Sequence, residues 1–99
     1  MVKNNMRPIH PGEILREEYL EPLGMTPNAL SIHLRVPAPR INDVVREKRG
    51  ITTDTALRLA RYFNTTAQYW LNLQTSYELK QAEREVGSII EKEIQPLAA

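Results

Sequence analysis

The sequence predicts an all-α domain of five helices with a C-terminal helical or extended tail, and three observations carry that prediction. Apolar residues recur at helical spacing through most of the 99 residues. Helix-start signals, Thr26-Pro27 and the threonines at 52, 53 and 66, precede the apolar runs. The stretch from Met25 to Arg49, MTPNALSIHLRVPAPRINDVVREKR, reads as two short helices joined by a tight turn, with a basic tail after the second. That is the sequence form of a helix-turn-helix, whose second helix lies in the DNA major groove.

Residues 1–9 read as a flexible arm. His10-Pro11-Gly12 opens the first helix, with Ile14, Leu15, Tyr19, Leu20 and Leu23 on one face; Pro22 lies near its end and Gly24 stops it. Thr26 caps the second helix, which carries Ala29, Leu30, His33 and Leu34, and Arg35-Val36 makes the turn. Pro37 starts the third helix, where Pro39 is early enough to be tolerated and Ile41, Val44 and Val45 form the buried stripe. Thr52 or Thr53 caps a fourth helix with Ala56, Leu57, Leu59, Ala60 and Phe63 on its apolar face. After the turn at Asn64-Thr65, Thr66 caps a fifth helix carrying Tyr69, Trp70, Leu71, Leu73, Tyr77 and Leu79. Gly87 is a candidate break, so the domain is drawn as residues 10–86 and the extension as 87–99, the latter compatible with a short helix or an extended tail.

Composition excludes several classes. With 41% hydrophobic and 25% charged residues the balance is that of an ordinary globular domain, and the length suits one modest core. There is no cysteine, hence no disulfide framework or thiolate metal site, and two histidines make a histidine metal site implausible. No segment has a signal-peptide core or could span a bilayer, so a cytoplasmic protein is expected. No glycine-rich phosphate loop, nucleophile motif or metal-ligand spacing supports an enzyme, and no cofactor is implied.

The overall charge of +1 matters less than its distribution. From Ser31 to Gly50, five bases (Arg35, Arg40, Arg46, Lys48 and Arg49) face two acids, Asp43 and Glu47. From Gly12 to Gly24, Glu13, Glu17, Glu18 and Glu21 face Arg16 alone. Positive charge is therefore concentrated on the helix-turn-helix, as phosphate binding requires. On the third helix, at 100° per residue, the face opposite the buried stripe holds Pro39, Asp43 and Arg46, with Arg40 and Asn42 flanking and Ala38 at the tip. Arg40 suits guanine, Asn42 suits adenine, and Asp43 can accept from a cytosine amino group. Ala38 and Pro39 offer apolar contact to a thymine methyl, while Arg46, Lys48 and Arg49 suit phosphates. The second helix N-terminus, Thr26 to Asn28, points its amides at a phosphate. Each has a plainer alternative: Arg40 paired with Glu47 or a solvent carboxylate, Asn42 merely solvated. His33 reads as a hydrogen-bonded structural histidine, and Trp70 beside Tyr69 as core rather than a stacking platform.

The block RINDVVREKRGITTDTALRLARYFNTTAQYWLNLQTSYEL, with HPGEILREEYLEPLGMT ahead of it, resembles the HigA-type antitoxins, a branch of the repressor-like helix-turn-helix (XRE) proteins. The resemblance covers His10 to Glu85 and implies a five-helix domain that dimerises, binds a palindromic operator upstream of its own operon, and neutralises a ribosome-dependent mRNA-cleaving toxin of the HigB kind. It puts the recognition positions on Ala38, Pro39, Arg40, Asn42 and Asp43, and the basic flank on Arg46, Lys48 and Arg49. Two departures stand out. Pro39 replaces the usual arginine and removes a donor. Arg35 replaces the turn glycine, which predicts a slightly different turn, because a side chain disfavours the left-handed conformation.

Dimerisation would set two recognition helices about 34 Å apart. Ile89, Ile90 and Ile94 supply apolar surface for such a dimer, or pack back on their own domain. A basic toxin would favour the acidic first helix. A stand-alone repressor without a toxin is the alternative, separable by a neighbouring short reading frame that encodes a basic protein; a domain that has lost DNA binding is argued against by the retained bases.

Overall fold

The computed structural model describes residues 7–98; the arm drawn over residues 1–9 thus lies largely outside the described residues. Those residues form five helices and no strand. Helix α1 covers residues 11–23, α2 Pro27–Leu34, α3 Ala38–Val45, α4 Thr53–Phe63 and α5 Ala67–Glu93. Among the described residues no helix is long and apolar enough to cross a membrane.

Local chemistry sets the starts. Thr26, Thr52 and Thr66 each accept a hydrogen bond from the amide three residues on, at 3.1, 3.3 and 3.1 Å. His10 caps α1 through Nδ1, which accepts the Gly12 amide at 2.8 Å. For α3 the cap residue is Pro37, which has no side-chain oxygen to offer, and Pro39 follows inside the first turn. Proline is suited there because the amides of the first turn have no helical partner to lose.

The ends of α1 to α4 share one device. Gly24, Arg35, Glu47 and Asn64 all take the left-handed conformation, and the following amide turns back to a carbonyl five residues earlier: Met25 to Leu20, Val36 to Ser31, Lys48 to Asp43 and Thr65 to Ala60. Only the first of the four is a glycine. The expected distortion at Arg35 does not occur, since Arg35 itself adopts φ 60°, ψ 44°.

Helix α1 changes pitch. Pro11–Ile14 is α-helical, Leu15–Leu20 is π-helical and Glu21–Leu23 is α-helical again. Pro22 has no amide, and its ring crowds the carbonyl of Glu18, four residues back. A wider turn ahead of it relieves that clash: the Glu21 amide bonds to Arg16 O, five residues back. The buried pair on this segment, Leu15 and Leu20, is likewise five apart, while Leu23 is 59% exposed and leaves the apolar face expected for it.

One core collects Leu15, Leu20, Leu30, Leu34, Ile41, Val44, Val45, Ile51, Ala56, Leu59 and Trp70. Trp70 is fully buried and donates Nε1–H to Thr65 Oγ1 at 2.8 Å, so its core role holds. Tyr19 and Tyr69 join their hydroxyls beside it at 3.3 Å, and burial with that bond pushes the Tyr69 phenol up to about 12. Leu57 was expected in the core face of α4 but points outward. Nor does Gly87 break the last helix: α5 runs through it to Glu93, and residues 94–98 continue without helix.

Candidate nucleic-acid interface

Helix α3 is short and held on three sides. Its inner face, Ile41, Val44 and Val45, is buried. From the α1 side the chain comes so near that a Cβ on Gly12 would sit 1.8 Å from the Val44 carbonyl oxygen. Only glycine permits that approach. At the C-terminal end, Arg16 donates to the Val45 carbonyl at 2.6 Å and lies 3.5 Å from Glu47. A guanidinium there satisfies a carbonyl the helix leaves open and complements its dipole. His10 is buried nearby, edge-on to Tyr77 at 4.8 Å. Burial pushes its imidazole below the ordinary value, with Glu47 opposing and Arg16 adding to the shift.

The outer face brings together most of the residues expected to meet DNA. Pro39 and Arg46 are exposed, and Ala38, Arg40, Asn42 and Asp43 half-buried. Thr26 and Asn28, both exposed, stand at the start of α2 beside them. The two helices are joined across this face: Asn42 Nδ2 donates to Asn28 Oδ1 at 2.7 Å and to Ala38 O at 2.9 Å. Both amide hydrogens of Asn42 are thereby engaged. A bidentate adenine contact requires one of them to change partner, whereas Oδ1 accepts nothing among the described residues. Ser31, buried in α2, returns its hydroxyl to Asn28 O at 2.6 Å and so fixes the same turn.

Beyond α3 the basic tail turns through Glu47. Arg46, Lys48 and Arg49 are all exposed. Arg49 lies 3.4 Å from Asp43, while Arg46 and Lys48 have no acidic partner among the described residues. This leaves two open cations adjoining the helix face.

Of the plainer alternatives for Arg40, the pairing with Glu47 does not form and the pairing with an exposed carboxylate does: Nη1 donates to Asp54 Oδ2 on α4 at 2.6 Å. Arg58 Nε donates to the same oxygen at 2.8 Å, and Arg58 Nη1 reaches the Leu34 carbonyl at the end of α2 at 2.8 Å. Asp54 and Arg58 were missed as site residues. Their four-residue spacing signals a pair on one helix face, but nothing local ties them to Arg40. The Arg58 guanidinium first, with Arg40 beside it and desolvation opposing, holds the Asp54 carboxyl below the usual carboxylate range. His33 is likewise not a core group; it is exposed and stacked on Tyr62 at 5.0 Å.

No family model matches the chain. Individual relatives do. The chain is 62% identical over 87 residues to virulence-associated protein I of Dichelobacter nodosus, covering 88% of this chain and 81% of that one. It is 33% identical over 79 residues to antitoxin HigA-1 of Vibrio cholerae, covering 80% and 74%. The chain belongs to the HigA antitoxin family. Among solved structures, the Pseudomonas aeruginosa antitoxin HigA with the higBA promoter superposes with a TM-score of 0.91 at 55% identity, covering 93% of this chain and all of the other. Within this HigA fold, the two sequence departures have a structural answer. Arg35 takes up the turn that glycine would make, and Pro39 occupies a first-turn position where its missing amide costs no hydrogen bond.

Proposed function

We propose that this protein is the antitoxin of a type II toxin–antitoxin module and the repressor of its own operon. Acting as a homodimer in the cytoplasm, it presents two copies of α3 to a palindromic operator and works by binding rather than catalysis. The observation that carries this reading is the continuous outer face formed by Thr26, Asn28, Ala38, Pro39, Arg40, Asn42 and Asp43 with Arg46, Lys48 and Arg49 at its edge, in a family one of whose members is described with its promoter. Base-reading groups sit at the centre and phosphate-binding groups at the rim, the division a specific duplex contact needs.

The dimer is assigned to the end of α5. Ile89 and Ile90 are half exposed and Ile94 is 64% exposed, beyond what a single domain of this size covers. The toxin, a HigB-like ribosome-dependent mRNA-cleaving enzyme, is assigned to the acidic side of α1. There Glu13 is already engaged by Arg7 at 2.8 Å and Glu17 lies 3.4 Å from Arg16, leaving Glu18 and Glu21 as the open carboxylates.

Fluorescence anisotropy against the duplex immediately upstream of the gene, with excess random competitor at physiological salt, tests the DNA reading. Tight binding that resists competitor is expected, weakened by Arg40→Ala by about 1–3 kcal/mol. Binding no better than to random duplex contradicts it. Light scattering of Ile90→Asp tests the dimer, which the substitution should split. Reversal of charge at Glu18 and Glu21 should weaken capture of the toxin encoded beside the gene; undiminished capture removes the α1 assignment.

A further inference from the structure

The convergence of Arg40 and Arg58 on one oxygen of Asp54 is more than a pair of surface contacts. Asp54 stands in the first turn of α4, where a carboxylate complements the helix dipole. That accounts for an acid at this place but not for its partners. Arg40 comes from α3, Arg58 from α4, and Arg58 is itself anchored to the Leu34 carbonyl of α2. The chain Leu34–Arg58–Asp54–Arg40 thus runs through three helices and ends on the recognition helix. An isolated exposed ion pair holds its side chains loosely; here the acceptor is fixed by a second arginine that is fixed by backbone.

The donor arithmetic leaves Arg40 free to act. A guanidinium has five N–H groups. One of them, on Nη1, goes to Asp54, and Arg40 makes no other side-chain bond among the described residues. The Nη2–Nε edge stays open, and two adjacent N–H groups are what a guanine O6/N7 pair takes. Asp54 also places a negative charge next to a surface that must meet phosphates, so its unaided effect on DNA of any sequence is repulsive.

We propose that Asp54 is a positioning residue for sequence reading: it fixes the Arg40 guanidinium with its open edge toward the base, and so raises discrimination between operator and random DNA without adding to affinity for DNA in general. The proposal rests on the DNA reading above. A carboxylate that acts by aiming an arginine and one that acts by repelling phosphate have opposite signatures. In the first case its removal weakens operator binding and leaves or strengthens random binding. In the second its removal strengthens both alike.

The test measures affinity of the full-length protein for the upstream duplex and for a random duplex of the same length. The variants are Asp54→Ala, Asp54→Asn, Asp54→Glu, Arg40→Ala and the Asp54→Ala/Arg40→Ala double, each checked for native helix content. Removal of the carboxylate by either Ala or Asn should lower the operator-to-random ratio about tenfold, and Asp54→Glu should restore part of it. In the Arg40→Ala background the same Asp54→Ala change should leave the ratio nearly unaltered. A parallel rise in both affinities overturns the proposal, as does an unchanged ratio or a full-sized fall when Arg40 is absent. Wild-type protein that does not prefer the upstream duplex overturns the DNA reading and this inference with it, a pattern none of the other outcomes produces.

Discussion

Helix α3 and the last three turns of α5 are similar in length and both carry aliphatic residues on one side, yet they are held in opposite ways. In α3, Ile41 and Val44 have no exposed surface and Val45 is 9% exposed; in α5, Val86, Ile89 and Ile90 are 40–49% exposed. Side chains from α1 and α2 close the ends and flank of α3, through Arg16 on the Val45 carbonyl and Asn28 on Asn42. Past Leu79, α5 contributes no residue to the core. The difference teaches where each apolar side chain finds its partner. For α3 the partner is this chain, so its outer face can be stiff. At the end of α5 the apolar surface stays exposed on this chain, and the proposed dimer is assigned there for that reason.

Truncations in the two regions should therefore diverge most. Ile41→Ala should cost about 3 kcal/mol in chemical denaturation of the protein, whereas Ile90→Ala should leave the stability at low concentration nearly intact and lower it only where the protein self-associates. Equal losses from both, independent of concentration, would break the comparison. Next in size is Gly12→Ala. Because the new methyl would meet the Val44 carbonyl, α1 and α3 must separate, at about 2 kcal/mol by the usual penalty for overpacking. A thermal midpoint unchanged from wild type would show that α1 does not press on α3 as described.

A smaller effect sharpens the same contrast through pH. His10 is neutral, buried, and accepts the Gly12 amide through Nδ1. Since its folded pKa lies below the unfolded value of 6.5, the unfolded chain takes up the proton first as pH falls. Stability contributed by the neutral imidazole is complete above that value and is lost as pH drops below it, at up to about 1.4 kcal/mol per pH unit until the folded group titrates. His10→Asn keeps a capping oxygen and should flatten the slope below pH 6.5; an unaltered slope would assign the effect to another group. Smallest is Gly87→Ala. A Cβ there meets nothing closer than Glu83 Cβ at 3.9 Å, so the substitution should stabilise α5 by about 0.5–1 kcal/mol, visible as added helicity. A loss instead would mean that the backbone at Gly87 lies against a neighbour.

These cases also separate what could be read from the sequence from what could not. The threonine caps at 26 and 66, a cap at Thr52 or Thr53, and the Ile41/Val44/Val45 stripe were legible because each depends on residues a turn apart; which of the two threonines caps α4 was not. The basic rim was legible as composition. The π turn of α1 was not, since it arises from the clash of Pro22 with the preceding carbonyl rather than from the apolar pattern, and it moves Leu23 out of the core face. Arg35 and Glu47 in left-handed conformations run against residue preference and are held by bonds from Val36 and Lys48 to carbonyls five back. The Arg40–Asp54 pair spans 14 residues and needed the placement of α4 beside α3. In α5, a helix-disfavouring glycine suggested an end where the surrounding residues sustain the helix.

In the proposed function, α3 and its basic flank read DNA and the end of α5 does not. Titration of the upstream duplex into isotopically labelled protein, followed by backbone amide NMR at a concentration chosen to keep the proposed dimer together, tests it residue by residue. Large shift changes are expected at residues 26–28, 38–43 and 46–49, with the amides of 84–93 unmoved. Changes concentrated on the end of α5, with α3 unaffected, would contradict it.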